Sequence, residues 1–175
     1  MKYINKSFSI EKVKAQNLAK KFNTPIYCYS YKQLKVNINN FKKNFKYFSP
    51  LVCFAIKANT NVNLITEIKK LGLGADVVSI GEMMKALKAG INPKKIVFSG
   101  VGKTYAEISY AIDKKILLIN AESKSEIIEI EKIAKSKNKI IDIGIRLNPN
   151  TDAKTLSQIS TGKKENKFGV DEKVF

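Results

Sequence analysis

A lysine, an aspartate and the chain's single arginine stand at or near the ends of apolar, strand-like runs. Leu51-Val52-Cys53-Phe54-Ala55-Ile56 is continuous apolar sequence between Ser49-Pro50 and Asn59-Thr60-Asn61, and Lys57 follows it directly. Moving an ammonium out of water is costly unless it is paired or loses its charge. Lys57 therefore either snorkels its stem to solvent or serves as an amine of lowered pKa, the nucleophilic form. Asp76 sits in Ala75-Asp76-Val77-Val78-Ser79. It is either a solvated strand-end acid or a carboxylate met by a cation or a donor. Arg146 closes Ile141-Asp142-Ile143-Gly144-Ile145-Arg146 and is the only arginine among 32 basic residues. Planar, bidentate recognition of an anion is the task lysine does poorly, so this one arginine says more than the lysine surplus.

Other chemistries are excluded by residue type and spacing. Gly100-Val101-Gly102-Lys103-Thr104 invites a phosphate-loop reading, but the first glycine of that pattern falls on Val97. The stretch reads instead as a tight loop after a strand. Histidine is absent, and Cys28 and Cys53 are far apart, which removes metal-ligand spacing and Ser-His or Cys-His dyads. Both cysteines lie in apolar runs, as in a reduced cytoplasmic protein. The net charge of +17 is spread over lysines on helical faces, without an arginine-rich or aromatic-interleaved patch, so nucleic acid is not expected as a partner. No run approaches the roughly 18 apolar residues of a membrane span, and the first residues lack the apolar core of a signal peptide.

The elements that must position these residues repeat. Helical periodicity is read over 9–22 and 31–47, with a short strand at Ile26-Tyr27-Cys28-Tyr29 between them. Apolar runs then begin near Val52, Asp76, Ile96, Ile116 and Ile141, alternating with helical patterns over 62–71, 80–89, 104–113 and 124–136. Gly72 and Gly90 suit the position just past a helix end, and Ser123-Lys124-Ser125-Glu126 has capping-box spacing. Five βα units with short loops predict an α/β fold with a parallel sheet, each strand buried on both faces. Their close spacing favours a (β/α)8 TIM-type barrel over a doubly wound sheet, and sites on such barrels gather at the strands' C-terminal ends. A full barrel needs about 250 residues. The chain is therefore expected to be a partial barrel, truncated after about the fifth strand, with unpaired first and fifth edges.

Phe54-Ala55-Ile56-Lys57-Ala58-Asn59 resembles the lysine motif of the fold-type III pyridoxal-phosphate decarboxylases, which act on diaminopimelate, ornithine and arginine. The resemblance runs over nearly the whole chain, through Gly74-Ala75-Asp76-Val77-Val78-Ser79-Ile80-Gly81-Glu82, Phe98-Ser99-Gly100-Val101-Gly102-Lys103-Thr104, Asn120-Ala121-Glu122-Ser123 and Arg146-Leu147-Asn148-Pro149. Ile159-Ser160-Thr161-Gly162 and Glu165-Asn166-Lys167-Phe168-Gly169 point to the diaminopimelate branch. The resemblance implies that Lys57 is the catalytic, Schiff-base lysine and that Asp76 and Arg146 line the pyridoxal 5'-phosphate site. It implies decarboxylation of meso-2,6-diaminopimelate to L-lysine by a cytoplasmic homodimer, with ornithine, arginine or carboxynorspermidine decarboxylation, a racemase and a non-catalytic pyridoxal-phosphate-binding barrel as rivals. It divides the chain into 1–30, which would associate with a β-rich domain absent from these residues, and 31–175, the partial cofactor-binding barrel. Leu156 stands where relatives often carry histidine. The family's phosphate loop, ring-stacking histidine and a glutamate facing the pyridine nitrogen would lie downstream of Phe175. Residues 1–175 alone are accordingly expected to be inactive.

Overall fold

The computed structural model describes residues 2–4, 6–45, 47–148 and 168–171. By contacts the chain divides into two compact units, Met1–Pro50 and Leu51–Phe175.

The first unit opens with an antiparallel sheet of β1 (Lys2–Ile4), β2 (Ser7–Ile10) and β3 (Val13–Lys14), followed by α1 (Ala15–Phe22) and α2 (Tyr31–Asn44). The helix read over 9–22 therefore starts at Ala15. Ile10 and Val13 are cross-strand partners around a turn in which Glu11 takes φ 57°, so their spacing reflects pairing across a hairpin and not a helical stripe. Glu11 then ties that turn to the start of α2 by accepting from Ser30 Oγ at 2.8 Å and Lys32 N at 2.9 Å. Those two donors hold its carboxyl below the usual range. Ser30 caps α2 through Gln33 N. The strand expected over Ile26–Tyr29 is not formed: among the described residues these pair with no strand, and an extended run without a ladder is only a connection.

The second unit is a five-stranded parallel sheet in sequential order: β4 (Cys53–Ala55), β5 (Gly74–Val77), β6 (Ile96–Phe98), β7 (Leu118–Ala121) and β8 (Asp142–Ile145). Between them run α3 (Val62–Lys70), α4 (Ile80–Lys88), α5 (Tyr105–Asp113) and α6 (Lys124–Ser136). Doubly wound sheets reverse strand order at a switch point. Here the order never reverses, which is the arrangement of an open barrel wall. Two short strands, β9 (Leu147–Asn148) and β10 (Val170–Asp171), pair in parallel beyond it.

Burial alternates with the pleat. Ala75, Val77, Ile96, Phe98, Ile119 and Ala121 face the helices and are fully buried against Ile65, Met83, Ile108, Ile112, Ile130 and Ile133. Asp76, Val97, Leu118 and Asn120, at the alternate positions, are only half-buried. The expectation of strands buried on both faces is thus corrected. Among the described residues only the helix-facing side of the sheet is covered, and β4 and β8 are edges.

The four α-helices described in this unit stop in the same way. Past α3, Gly72 N donates to Lys69 O and Leu73 N to Ile68 O; past α4, Gly90 N donates to Leu87 O and Ile91 N to Ala86 O. The same pair of bonds closes α5 at Lys115-Ile116 and α6 at Asn138-Lys139. This is the Schellman motif, whose turning residue is left-handed, and both glycines expected there fill it with φ 83°. Lys115 fills it with φ 54°. Lys115→Gly should relieve a left-handed strain of roughly 1–2 kcal/mol and lose roughly 0.5–1 kcal/mol to unfolded-chain entropy. A net gain of up to about 1 kcal/mol is expected in urea unfolding. A loss would show that the lysine side chain contributes more than the strain removes.

Candidate active site

Lys57 lies just beyond β4, in a single 3-10 turn spanning Ile56–Ala58. The turn is pinned on its far side. Asn59 N donates to Ile56 O, Asn61 N donates to Asn59 Oδ1, and Asn61 in turn caps α3 through Asn63 N and Leu64 N. Its backbone is held, yet its side chain is exposed. The desolvation expected at a strand end is therefore not present. The strand stops at Ala55, and the turn carries Lys57 off the sheet, where the described residues leave it exposed.

Asp76 occupies the half-buried face of β5. The register pairs it with Val97 of β6, so the next residue on that face, just past the strand, is Ser99. Ser99 Oγ donates to Asp76 Oδ1 at 2.6 Å, and Asn120 Nδ2 donates to Ser99 Oγ at 3.0 Å. Asn120 pairs with Gly144 across to β8. A side chain at Gly144 would run into the Asn120 amide oxygen, so only glycine leaves that amide its place. Two strands and the residue just past the strand between them thus supply one hydrogen-bonded row, Asn120 to Ser99 to Asp76.

Arg146 follows β8, its N bonded to Ala121 O at 3.0 Å. Its Nη1 donates to Glu122 Oε1 at 3.0 Å, and its guanidinium lies 5.1 Å from the centre of the Phe168 ring. The loop over Gly100–Gly102 is fastened from behind by Lys103. Its side chain is 1 % exposed, and Nζ donates to Gly100 O at 2.6 Å, Asn120 O at 2.7 Å and Glu126 Oε1 at 2.7 Å. The capping box read at Ser123–Glu126 forms only by half. Ser123 Oγ accepts from Glu126 N, but the Glu126 carboxylate is taken by Lys103 and by Glu122 N. A complete capping box stands at Thr104 and Glu107 instead.

Lys57, Asp76 and Arg146, the three residues singled out from the sequence, line one cavity of about 710 Å³ at the C-terminal ends of the strands, together with Ser99, Asn120 and Phe168. That volume lies within the range of small-molecule sites. A second cavity of about 590 Å³ in the first unit is walled mainly by Ile10, Val13, Leu18, Phe22 and Ile26, and the carboxylate on its lining, Glu11, is engaged by Ser30 and Lys32. Sequence reasoning did not assign Ser99, Asn120, Glu122 or Phe168 to the site. A usable signal existed for Asn120, a polar residue inside an apolar run and on the same pleat as Asp76. Leu156, Ile159-Ser160-Thr161-Gly162 and Glu165-Asn166-Lys167 lie outside the described residues. Among the described residues no group of three or more His, Cys, Asp or Glu could hold a metal, and no helix is long and apolar enough to cross a membrane.

An amine, a hydrogen-bonded carboxylate and a guanidinium around one strand-end cavity suit a small anionic carbonyl compound. Comparison with known proteins narrows this further. A family model described as pyridoxal-dependent decarboxylase, pyridoxal binding domain, matches residues 31–174. Diaminopimelate decarboxylase of Helicobacter pylori is 51% identical over 158 residues, covering 90% of this chain and 39% of that protein. The Aquifex aeolicus diaminopimelate decarboxylase is 43% identical over 171 residues, or 98% of this chain and 40% of the relative. The crystal structure of the Helicobacter pylori enzyme complexed with L-lysine superposes with a TM-score of 0.88 at 49% identity, covering 91% of this chain and 40% of that one. The diaminopimelate decarboxylase structure from M. jannaschii in co-complex with L-lysine gives 0.90 at 40% identity over 99% of this chain and 41% of that one. The chain thus spans about two fifths of the length of the relatives it matches. It belongs to the pyridoxal-dependent decarboxylase family and carries that family's pyridoxal-binding domain over residues 31–174.

Proposed function

We infer that the protein carrying this chain decarboxylates meso-2,6-diaminopimelate to L-lysine, using pyridoxal 5'-phosphate. The observation that carries the reading is the convergence of Lys57, Asp76 and Arg146 on one strand-end cavity. The similarity to diaminopimelate decarboxylases supports the choice of substrate. The reading includes action as a cytoplasmic homodimer, and association of residues 1–30 with a β-rich domain beyond Phe175.

The donor set fits the cofactor. Lys57 would hold it through the Nζ amine, on a turn whose backbone is fixed while the side chain can reach into the cavity. Arg146 would meet an anionic oxygen of the ring with directed N–H donors. When bound, pyridoxal phosphate supplies an electron-accepting ring for the pair released as carbon dioxide leaves. The chain's own part is electrostatic and positional. Asp76, with one oxygen engaged by Ser99, would place a carboxylate in the same cavity as the Lys57 amine. Ser99 and Asn120 fix the direction of that carboxylate within the cavity that Lys57 also lines.

The test is release of carbon dioxide by the purified intact protein from meso-diaminopimelate, ornithine and arginine, each at saturating pyridoxal phosphate. Turnover of diaminopimelate with kcat/KM at least about a hundredfold above the other two is expected, a discrimination of ~2.7 kcal/mol. Comparable turnover of ornithine or arginine would sink the substrate assignment. Residues 1–175 alone should give no release above the background of cofactor and substrate.

A further inference from the structure

Glu122, the residue after β7, is 7 % exposed and spends its carboxylate on two elements distant in sequence. Oε1 accepts from Arg146 Nη1 at 3.0 Å, and Oε2 accepts from Gly169 N at 3.0 Å. A buried carboxylate without donors is strongly disfavoured, so this geometry holds only while both donors stay in place. Its own backbone is fixed from behind, where Glu122 N donates to Glu126 Oε2 at 2.7 Å and Glu126 is anchored by buried Lys103.

The second donor belongs to the segment that covers Arg146. Val170 N donates to Arg146 O at 2.8 Å, and β10 pairs with β9 immediately beyond the arginine. Gly169 takes φ 80°, and a Cβ there would lie 2.8 Å from Arg146 O. Only glycine brings this segment so close. The approach sets the Phe168 ring against the guanidinium. Arg146 is therefore gripped by a carboxylate on one side and an aromatic ring on another, while its side chain, 37% exposed, still lines the cavity. A guanidinium has five N–H donors, so the bond to Glu122 leaves donors for a ligand.

We propose that Glu122 is a positioning residue: it aims the Arg146 guanidinium into the cavity and locks Phe168-Gly169 against it, so that an anionic oxygen of the bound cofactor meets donors already in place. An arginine side chain has much rotamer freedom to lose on binding, and a grip made in advance removes that loss from the binding step. The proposal rests on the reading of Arg146 as a cofactor residue.

The experiment measures pyridoxal-phosphate affinity of the intact apoprotein by absorbance titration, for Glu122→Gln, Arg146→Lys and the double variant. Each single change should weaken binding about tenfold, or 1.4 kcal/mol. The double variant should bind no more than about twofold worse than Arg146→Lys alone, because Glu122 acts through the arginine. The circular-dichroism band of the bound cofactor should weaken in Glu122→Gln, a signature that a merely structural role would leave unchanged. Wild-type affinity in Glu122→Gln, or losses that multiply to about a hundredfold in the double variant, would overturn the proposal. Wild-type affinity in Arg146→Lys would overturn the reading beneath it, a distinguishable failure. If Glu122→Gln does not fold, Glu122→Asp takes its place. It keeps the charge and withdraws it by one methylene, so about tenfold weaker binding supports the proposal and unchanged binding overturns it.

Discussion

Lys57→Ala in the intact protein is expected to reduce decarboxylation by at least about a thousandfold, equivalent to ~4 kcal/mol of transition-state stabilisation. Among the described residues no other lysine lines the strand-end cavity. Lys103, a described lysine behind the mouth, is buried and committed to two carbonyls and Glu126. Stability should change by less than about 0.5 kcal/mol, because Lys57 is exposed and its removal opens no cavity. Chemical and structural effects therefore separate cleanly at this residue. Borohydride reduction of the cofactor-loaded wild type should leave a phosphopyridoxyl group on the peptide containing Lys57. An adduct on Lys69, Lys103 or any other lysine would refute the assignment.

Lys103→Met is expected to destabilise the protein by about 3–5 kcal/mol, the usual consequence of removing one partner from a buried ion pair. The Glu126 side chain, 11% exposed, would keep Glu122 N as a donor but lose its cation, while Gly100 O and Asn120 O would lose theirs. Replacing both members with apolar residues sometimes restores stability to a buried pair. Lys103→Met with Glu126→Leu should not do so here, because each residue also serves the backbone of a mouth loop. Urea unfolding of the two variants and the wild type checks this. A loss below about 1 kcal/mol in Lys103→Met, or full recovery in the double variant, would show that those loops are held by other contacts.

The βα framework was legible because each apolar run and each helical period fits one element, and the glycines at 72 and 90 mark two of the helix ends. The three residues at or near strand ends were legible for the same reason: in a parallel sheet, position along a strand fixes the end to which a residue is delivered. What joins them was not. The bonds from Ser99 to Asp76 and from Arg146 to Glu122 join residues more than 20 positions apart and depend on strand register, which no local pattern encodes. The N-terminal hairpin was misread because Ile10 and Val13 satisfy both a helical spacing and a two-residue turn, and the positive φ at Glu11 decides for the turn. The Ser123–Glu126 motif was half right because a local partner, Ser123 N, lost the Glu126 carboxylate to a buried cation. Tertiary charge outweighed sequence proximity.

The four alike helix endings bear on how such a chain can be copied. Each ending is written within six consecutive residues and uses only backbone bonds. A duplicated βα unit would therefore bring its own stop signal to its new place. The mouth has no such autonomy. Glu107 accepts from Ile80 N in the preceding unit, and Lys103 reaches Glu126 in the following one. Tandem duplication would sever those links at every new junction. One rim of the wall is inherited unit by unit, and the other has to be negotiated between neighbours after each duplication.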